Sequence, residues 1–167
     1  CTIMIADCLP VLFCTQDGQM VAAAHAGWRG LQGGVLEATV AKLEAQHKAL
    51  ASKGSEKIYA WLGPCIGPQA FEVGEEVLDA FLASDLKNAS KINYARFFQK
   101  QENGKLKADL AGIAREKLEQ NKNILCFGND SSLTWCTFSN PKLFFSHRRD
   151  AVLLGSTGRM AVSIFRG

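Results

Sequence analysis

The sequence holds only three histidines, no His-x-His pair and no CxxC pair. The last of these absences excludes a four-cysteine zinc knuckle. No run of five like charges occurs, and no Lys/Arg-rich stripe is interleaved with aromatics, so a net charge of +3 at pH 7 does not favour nucleic acid or an anionic membrane as partner. No apolar stretch approaches the ~20 residues that span a bilayer, and no basic-then-apolar segment opens the chain. A soluble, cytoplasmic protein is the expectation. What is present is a chain of 167 residues, 47% hydrophobic, which suffices for one domain (1–167) with a sizeable core. Of the six cysteines (Cys1, Cys8, Cys14, Cys65, Cys126, Cys136), four sit in apolar strand-like runs, as buried free thiols do. The chain opens inside the apolar run Cys1-Thr2-Ile3-Met4-Ile5 without an initiator Met, so the N-terminal part of the domain is expected to be missing.

Short β-branched or aromatic-rich runs predict strands at Thr2–Ile5, Leu9–Thr15, Met20–His25, Ile58–Leu62, Ile124–Phe127, Leu143–Ser146 and Ala161–Phe165. Apolar residues near helical spacing predict helices over Gly34–Ala51, Gly74–Ala83 and Ala108–Gln120. Loops are expected at Ala51–Glu56, Gly63–Glu72, Asp85–Asn93 and Gly128–Ser132, where Gly, Ser, Asn and Pro concentrate. None is long enough for a domain linker, and the alternation points to an α/β or α+β sheet protein.

Two runs end in chemistry: Ala6-Asp7-Cys8 and His25-Ala26-Gly27-Trp28-Arg29. The turn Gln16-Asp17-Gly18-Gln19 between them predicts a hairpin that brings Cys8 and His25 to one open end. A thiolate beside an imidazole holds zinc or copper, or serves as a nucleophile with its base; both readings stay open on this spacing. A buried Cys is often a small apolar filler, the reading favoured for Cys14 and Cys126, but the polar Asp7 shifts Cys8 toward function. A lone His in an apolar strand is usually a satisfied core residue, yet His25 is followed by glycines that admit close backbone approach and by Arg29, a fork suited to phosphate or carboxylate. The helix start near Gly33-Gly34 adds a further anion-favouring element.

Gly63-Pro64-Cys65-Ile66-Gly67-Pro68, followed by Phe71-Glu72-Val73, is a rigid loop that either forms a pocket rim, with Cys65 as a ligand, or merely turns the chain. Phe145-Ser146-His147-Arg148-Arg149-Asp150 crowds an imidazole, two cations and a carboxylate together. An exposed charged turn has the same composition, but the flanking aromatics favour a partly dry site where Arg148 or Arg149 pairs with Asp150 or holds an anion.

These segments, with Cys136-Thr137 and Thr157-Gly158-Arg159, together resemble the laccase-domain family. Its members have been called multicopper polyphenol oxidoreductases, purine nucleoside phosphorylases and peptidoglycan editing factors. The resemblance implies a four-layer α/β/β/α sandwich with mixed sheets, like the catalytic domain of cytotoxic necrotizing factor. It also implies a metal site formed by Cys8, His25 and a further His expected upstream of Cys1. A laccase copper set takes about ten histidines, far more than this chain carries. One site of two His and one Cys with an open fourth position suits zinc, with copper the alternative. The implied activity is purine nucleoside phosphorolysis (adenosine, inosine, methylthioadenosine) with adenosine deamination. Cys8, His25 and Arg29 are then the expected catalytic residues, and Arg29, Cys65, Phe71, His147 and Arg148 the expected substrate contacts. The expected partners are a purine nucleoside and phosphate; the oligomeric state stays open. Competing readings are a copper-dependent polyphenol oxidase, a Cys8/His25 amidase acting on peptidoglycan precursors, and a non-catalytic nucleotide-binding domain.

Overall fold

The computed structural model describes residues 1–50, 57–88 and 92–167. In chain order the elements are β1 (Thr2–Ile5), β2 (Leu9–Thr15), β3 (Val21–Ala26), α1 (Trp28–Gln32), α2 (Val35–Leu50), β4 (Ile58–Leu62), β5 (Glu72–Val73) and α3 (Glu75–Asn88). There follow a 3-10 turn (Tyr94–Phe97), β6 (Phe98–Lys100), β7 (Leu106–Ala108), α4 (Leu110–Glu119), β8 (Ile124–Gly128), a second 3-10 turn (Leu133–Trp135), α5 (His147–Leu154) and β9 (Met160–Ser163). The result is a mixed α/β fold. No described helix is long and apolar enough to cross a membrane.

The central sheet runs β3-β2-β4-β8, antiparallel except for the parallel pair β4 and β8. Leu9, Val11 and Phe13 on β2 are fully buried, as are Leu36 on α2 and Ile113 on α4, so sheet and helices close over one core. Each such side chain contributes roughly 1.5–3 kcal/mol by leaving water. β1 pairs with β9, and the short strands β5, β7 and β6 form a third sheet. The third sheet borders an aromatic cluster in which Phe81 stands 5.2 Å from Tyr94 and 6.0 Å from Phe98.

The β2–β3 hairpin follows its turn chemistry. The Asp17 carboxylate accepts from Thr15 Oγ1 and from the Gln19 amide, and Gly18 takes the left-handed conformation (φ 70°) that glycine adopts without a steric cost. His47, buried on α2, lies 2.9 Å from Asp17 and ties the turn to the helix. The Thr15 hydroxyl first, then His47 and the Gln19 amide, hold the Asp17 carboxyl down at about 2, below its ordinary 3.8. A carboxyl depressed on folding stabilises the fold above its unfolded value, and that contribution is lost as pH falls through the folded value. Asp17→Asn is therefore expected to flatten the part of the acid unfolding curve between pH of about 4 and about 2, as followed by circular dichroism. An unchanged acid limb would show that the turn does not report on Asp17.

Two expectations change. Leu143–Ser146 is not a strand: the Leu143 and Phe144 amides turn back onto the Asn140 carbonyl, and the Phe144 carbonyl accepts from the Arg149 guanidinium rather than from a neighbouring strand. The segment 147–154, for which no helix was expected, is α5, with Arg149 paired to Asp150. Ser146 caps it by accepting from the Arg149 amide, and Gly155 ends it in the left-handed conformation. α3 runs on to Asn88, into the expected loop Asp85–Asn93, of which residues 89–91 lie outside the described residues; the expected loop Ala51–Glu56 lies wholly outside them.

Candidate functional site

The hairpin register places Leu9 opposite Ala26 and Pro10 opposite His25, so Cys8 and Gly27 face each other where the ladder ends. A Cβ on Gly27 would stand 2.8 Å from the Cys8 Sγ, which makes this a position where only glycine lets the thiol sit. His25, exposed on β3, shares this open end with Cys8. Burial, and then the negative charge of Asp7, push the Cys8 thiol up, while Arg159 just before β9 acts in the opposite direction. Arg159 is thereby within electrostatic reach of the thiol, a role that its place in the Thr157-Gly158-Arg159 motif did not specify.

Asp7 is itself unusual. It is buried, and its backbone lies in the left-handed region at φ 86°, where a non-glycine residue is rare. Its carboxylate accepts from Thr137 Oγ1 at 2.6 Å and from the Arg148 amide at 2.7 Å, and its carbonyl accepts from the Ile66 amide at 2.9 Å. The residue preceding Cys8 therefore fastens the rigid loop after β4, Thr137 and the first turn of α5 to one point.

Arg148, whose amide Asp7 holds, also lines a cleft of 370 Å³ with Trp28, Arg29, Phe71, Glu72, Glu76 and Lys105. Arg29 lies over the Trp28 ring at 4.3 Å, and Arg148 over the Phe71 ring at 5.7 Å. Arg148 Nη1 donates to the Glu72 carbonyl at 2.9 Å, which fixes its direction and leaves its other donors available. Glu72 is held below the ordinary carboxylate range by hydrogen bonds from Asn103 and then Lys105, so part of the Lys105 charge is already answered. The net result is a wall of two arginines, each with an aromatic surface beneath it.

Of the sequence-derived substrate contacts, Arg29, Phe71 and Arg148 meet in this cleft. Cys65 and His147 do not. Cys65 is 1% exposed, a free thiol whose backbone forms an isolated β-bridge with that of Cys136 and whose sulfur accepts from Asn129 Nδ2; burial first, and Asp109 next, push its thiol far up, as in an inert core group. His147 is the exposed first residue of α5 and is not among the residues lining the cleft. The start of α2 at Val35 is not among them either. Trp28 and Thr137 lay within motifs the sequence marked, without a role of their own, and Lys105 was in none of them.

Among the described residues no three His, Cys, Asp or Glu side chains gather to hold a metal ion. A multicopper set does not fit the donors of this chain, which has three histidines, one of them, His47, engaged by Asp17. Cys8 and His25 fit a single borderline-soft ion as two of its ligands, one sulfur and one nitrogen.

A family model described as multi-copper polyphenol oxidoreductase laccase matches residues 1–167. The chain is 47% identical to the purine nucleoside phosphorylase YfiH of Escherichia coli (strain K12) over 165 residues, 99% of this chain and 58% of that protein. It is 45% identical to a purine nucleoside phosphorylase of Pseudomonas aeruginosa over 161 residues, 96% of this chain and 58% of that protein. Among solved structures, a Neisseria meningitidis protein superposes with a TM-score of 0.75 at 43% identity, covering 96% of this chain and 57% of the other. The Bacillus licheniformis protein YfiH does so with a TM-score of 0.75 at 28% identity, covering 96% and 55%. The chain thus spans 58% of the length of each of these two curated relatives.

Proposed function

Because the chain belongs to the multi-copper polyphenol oxidoreductase laccase family, whose similar members include proteins named purine nucleoside phosphorylases, we propose that it is a purine nucleoside enzyme that transfers the ribosyl group from a purine to phosphate and also deaminates adenosine. The observation that carries this reading is the pairing of Arg29 and Arg148 on one cleft beside aromatic rings. Guanidinium forks bind phosphate oxygens bidentately, and a planar purine finds apolar cover against the rings of Trp28 and Phe71. Phosphate held by Arg29 and Arg148 attacks the ribose C1′; the C1′–N9 bond breaks, its electron pair goes to the purine, and a proton from solvent neutralises the leaving base. Confining the anion next to the nucleoside removes most of the entropic cost of that encounter.

Cys8 and His25 are the proposed metal ligands, with zinc the ion their chemistry favours. Bound there, zinc would supply the Lewis acidity by which water replaces the C6 amino group of adenosine, which leaves as ammonia. Cys8, His25 and Arg29 are the residues on which turnover depends in this reading.

The test is to incubate the metal-quantified protein with inosine and with adenosine, with and without phosphate, and to follow the products. Hypoxanthine release from inosine that requires phosphate is expected, with inosine formed from adenosine. Arg29→Ala and Arg148→Ala are expected to raise the KM for phosphate by about 10-fold or more, with a smaller change in the KM for nucleoside, since charge-assisted bonds of this kind contribute about 1.5–3 kcal/mol. Turnover indifferent to phosphate, or to both arginines, would overturn the reading.

A further inference from the structure

The left-handed backbone of Asp7 costs free energy that a glycine would not incur, and such a conformation persists only where its surroundings over-determine it. Here the surroundings are three hydrogen bonds from three separate segments: Ile66 in the loop after β4, Thr137 beyond the second 3-10 turn, and Arg148 in α5. One of those donors is the main-chain amide of the residue whose guanidinium lines the cleft. The next residue along the chain is Cys8. A buried carboxylate at the start of α5 also answers the unpaired amides of the helix N-terminus, so the helix is anchored at the turn from which Arg148 projects. Arg149 and Asp150, by contrast, bond to the 137–146 segment and do not reach the cleft.

We propose that Asp7 is a positioning residue that fixes Arg148 in register with Cys8, so that the anion-binding wall and the thiol end of the site hold one spacing. The inference rests on the reading that Arg148 holds phosphate. Asp7 touches neither substrate nor metal in this role; it acts through the Arg148 amide, and Thr137 acts through Asp7 by holding the other carboxylate oxygen. Thr137 is fully buried, and its own main-chain bonds, to Cys65 and Arg149, do not involve the hydroxyl. Removing the hydroxyl therefore loosens Asp7 without touching the cleft.

The decisive variants are Thr137→Val, which deletes the donor at nearly constant shape, and Thr137→Ser, which keeps it; Asp7→Asn serves as a harsher companion that also alters the strained position. Two readouts are taken on the whole chain: calorimetric titration with inorganic phosphate, and amide hydrogen exchange at Arg148. Thr137→Val is expected to weaken phosphate binding about five-fold, the scale of one lost hydrogen bond, and to speed exchange at Arg148, while Thr137→Ser preserves both. Combined with Arg148→Ala, the Thr137→Val change is expected to have no further effect on phosphate, because its effect travels through Arg148. Unchanged exchange at Arg148 in Thr137→Val, or an equal loss of phosphate affinity with and without Arg148, would overturn the proposal. If Thr137→Val speeds Arg148 exchange while Arg148→Ala binds phosphate as tightly as the parent, the anchor stands and the phosphate reading of Arg148 falls.

Discussion

Replacing Cys8 with alanine is expected to reduce the conversion of adenosine to inosine at least about 100-fold, since even groups that merely orient a metal ligand command changes of 10- to 100-fold. The thiol sits against Gly27 at the open end of the β2–β3 hairpin, with His25 on the neighbouring strand and Arg159 within electrostatic reach. No other described cysteine stands at this end of the hairpin: Cys65 and Cys136 are buried in the core, Cys14 is paired with Val21 at the opposite end, where Cys1 Sγ also meets the Val21 carbonyl, and Cys126 is on β8, beyond β4. The measurement that gives the loss its meaning is the zinc content of the same preparations. If Cys8 and His25 are ligands, Cys8→Ala and His25→Ala both lose bound zinc along with turnover, and the ion cannot be restored at stoichiometric concentrations. If Cys8 is instead a nucleophile with His25 as its base, both variants lose turnover but keep whatever zinc the parent carries, and the parent is inactivated by alkylation even after chelation. Undiminished turnover in Cys8→Ala sinks both readings of the thiol and moves the chemistry to other residues.

The hairpin that creates this juxtaposition was legible because its signals are local. Asp17-Gly18 specifies the turn, alternating apolar residues specify the flanking strands, and together they fix which residues meet at the far end. The same holds for α2 and α4, whose apolar spacing survives in the buried faces of Leu36, Val40 and Leu43 and of Leu110, Ile113 and Leu118. What was not legible has physical reasons. β5, β6 and β7 are two or three residues long, too short for a period of two to register. α1 is a five-residue turn containing a glycine, below the length at which a helical period can be seen. α5 escaped because Val152, Leu153 and Leu154 are exposed in the structure, so its apolar residues trace no buried stripe; the capping serine and the closing glycine were the usable signals.

Within the candidate site, residue type was legible and residue role was not. Composition marks Cys65 and Cys8 as equals, and only burial separates a core thiol, far up in its titration and bonded to Asn129, from one at the mouth of a hairpin. Asp7 reads as a polar neighbour of Cys8 in the sequence, whereas its left-handed backbone and its bonds to Thr137 and Arg148 are long-range facts, spanning 130 and 141 positions. The aromatic partners of Arg29 and Arg148 are likewise set by how α1 and the segment after Gly67 pack, not by spacing alone.

Arg148 and Arg149 look interchangeable in the sequence, and the second large effect expected is that they are not. Arg149→Ala should destabilise the fold by about 3–5 kcal/mol, the cost of removing one member of a buried, hydrogen-bonded pair. Its guanidinium makes bidentate contact with Asp150 through Nε at 2.7 Å and Nη2 at 3.2 Å, and donates to the carbonyls of Thr137, Phe138 and Phe144 at 2.8, 2.9 and 2.9 Å. Asp150 in turn accepts from the Ser146 amide and Thr157 Oγ1, so the pair binds the irregular 137–146 segment to α5 and to the approach of β9. Both side chains are largely withdrawn from water, at 15% and 12% exposure, so alanine leaves three carbonyls without this donor and the Asp150 carboxylate with only Ser146 and Thr157. Lysine keeps the charge but offers no planar fork, and Arg149→Lys should recover only a minor part of the loss. In thermal unfolding followed by circular dichroism, Arg149→Ala is expected to lower Tm by roughly 10 °C, at 2–4 °C per kcal/mol for a chain of this size. Arg148→Ala, whose side chain rests on an exposed wall, is expected to unfold within about 2 °C of the parent while weakening phosphate binding. A reversal of that order, with Arg148 carrying the stability and Arg149 the anion, would show that the two neighbouring cations divide structure and function the other way.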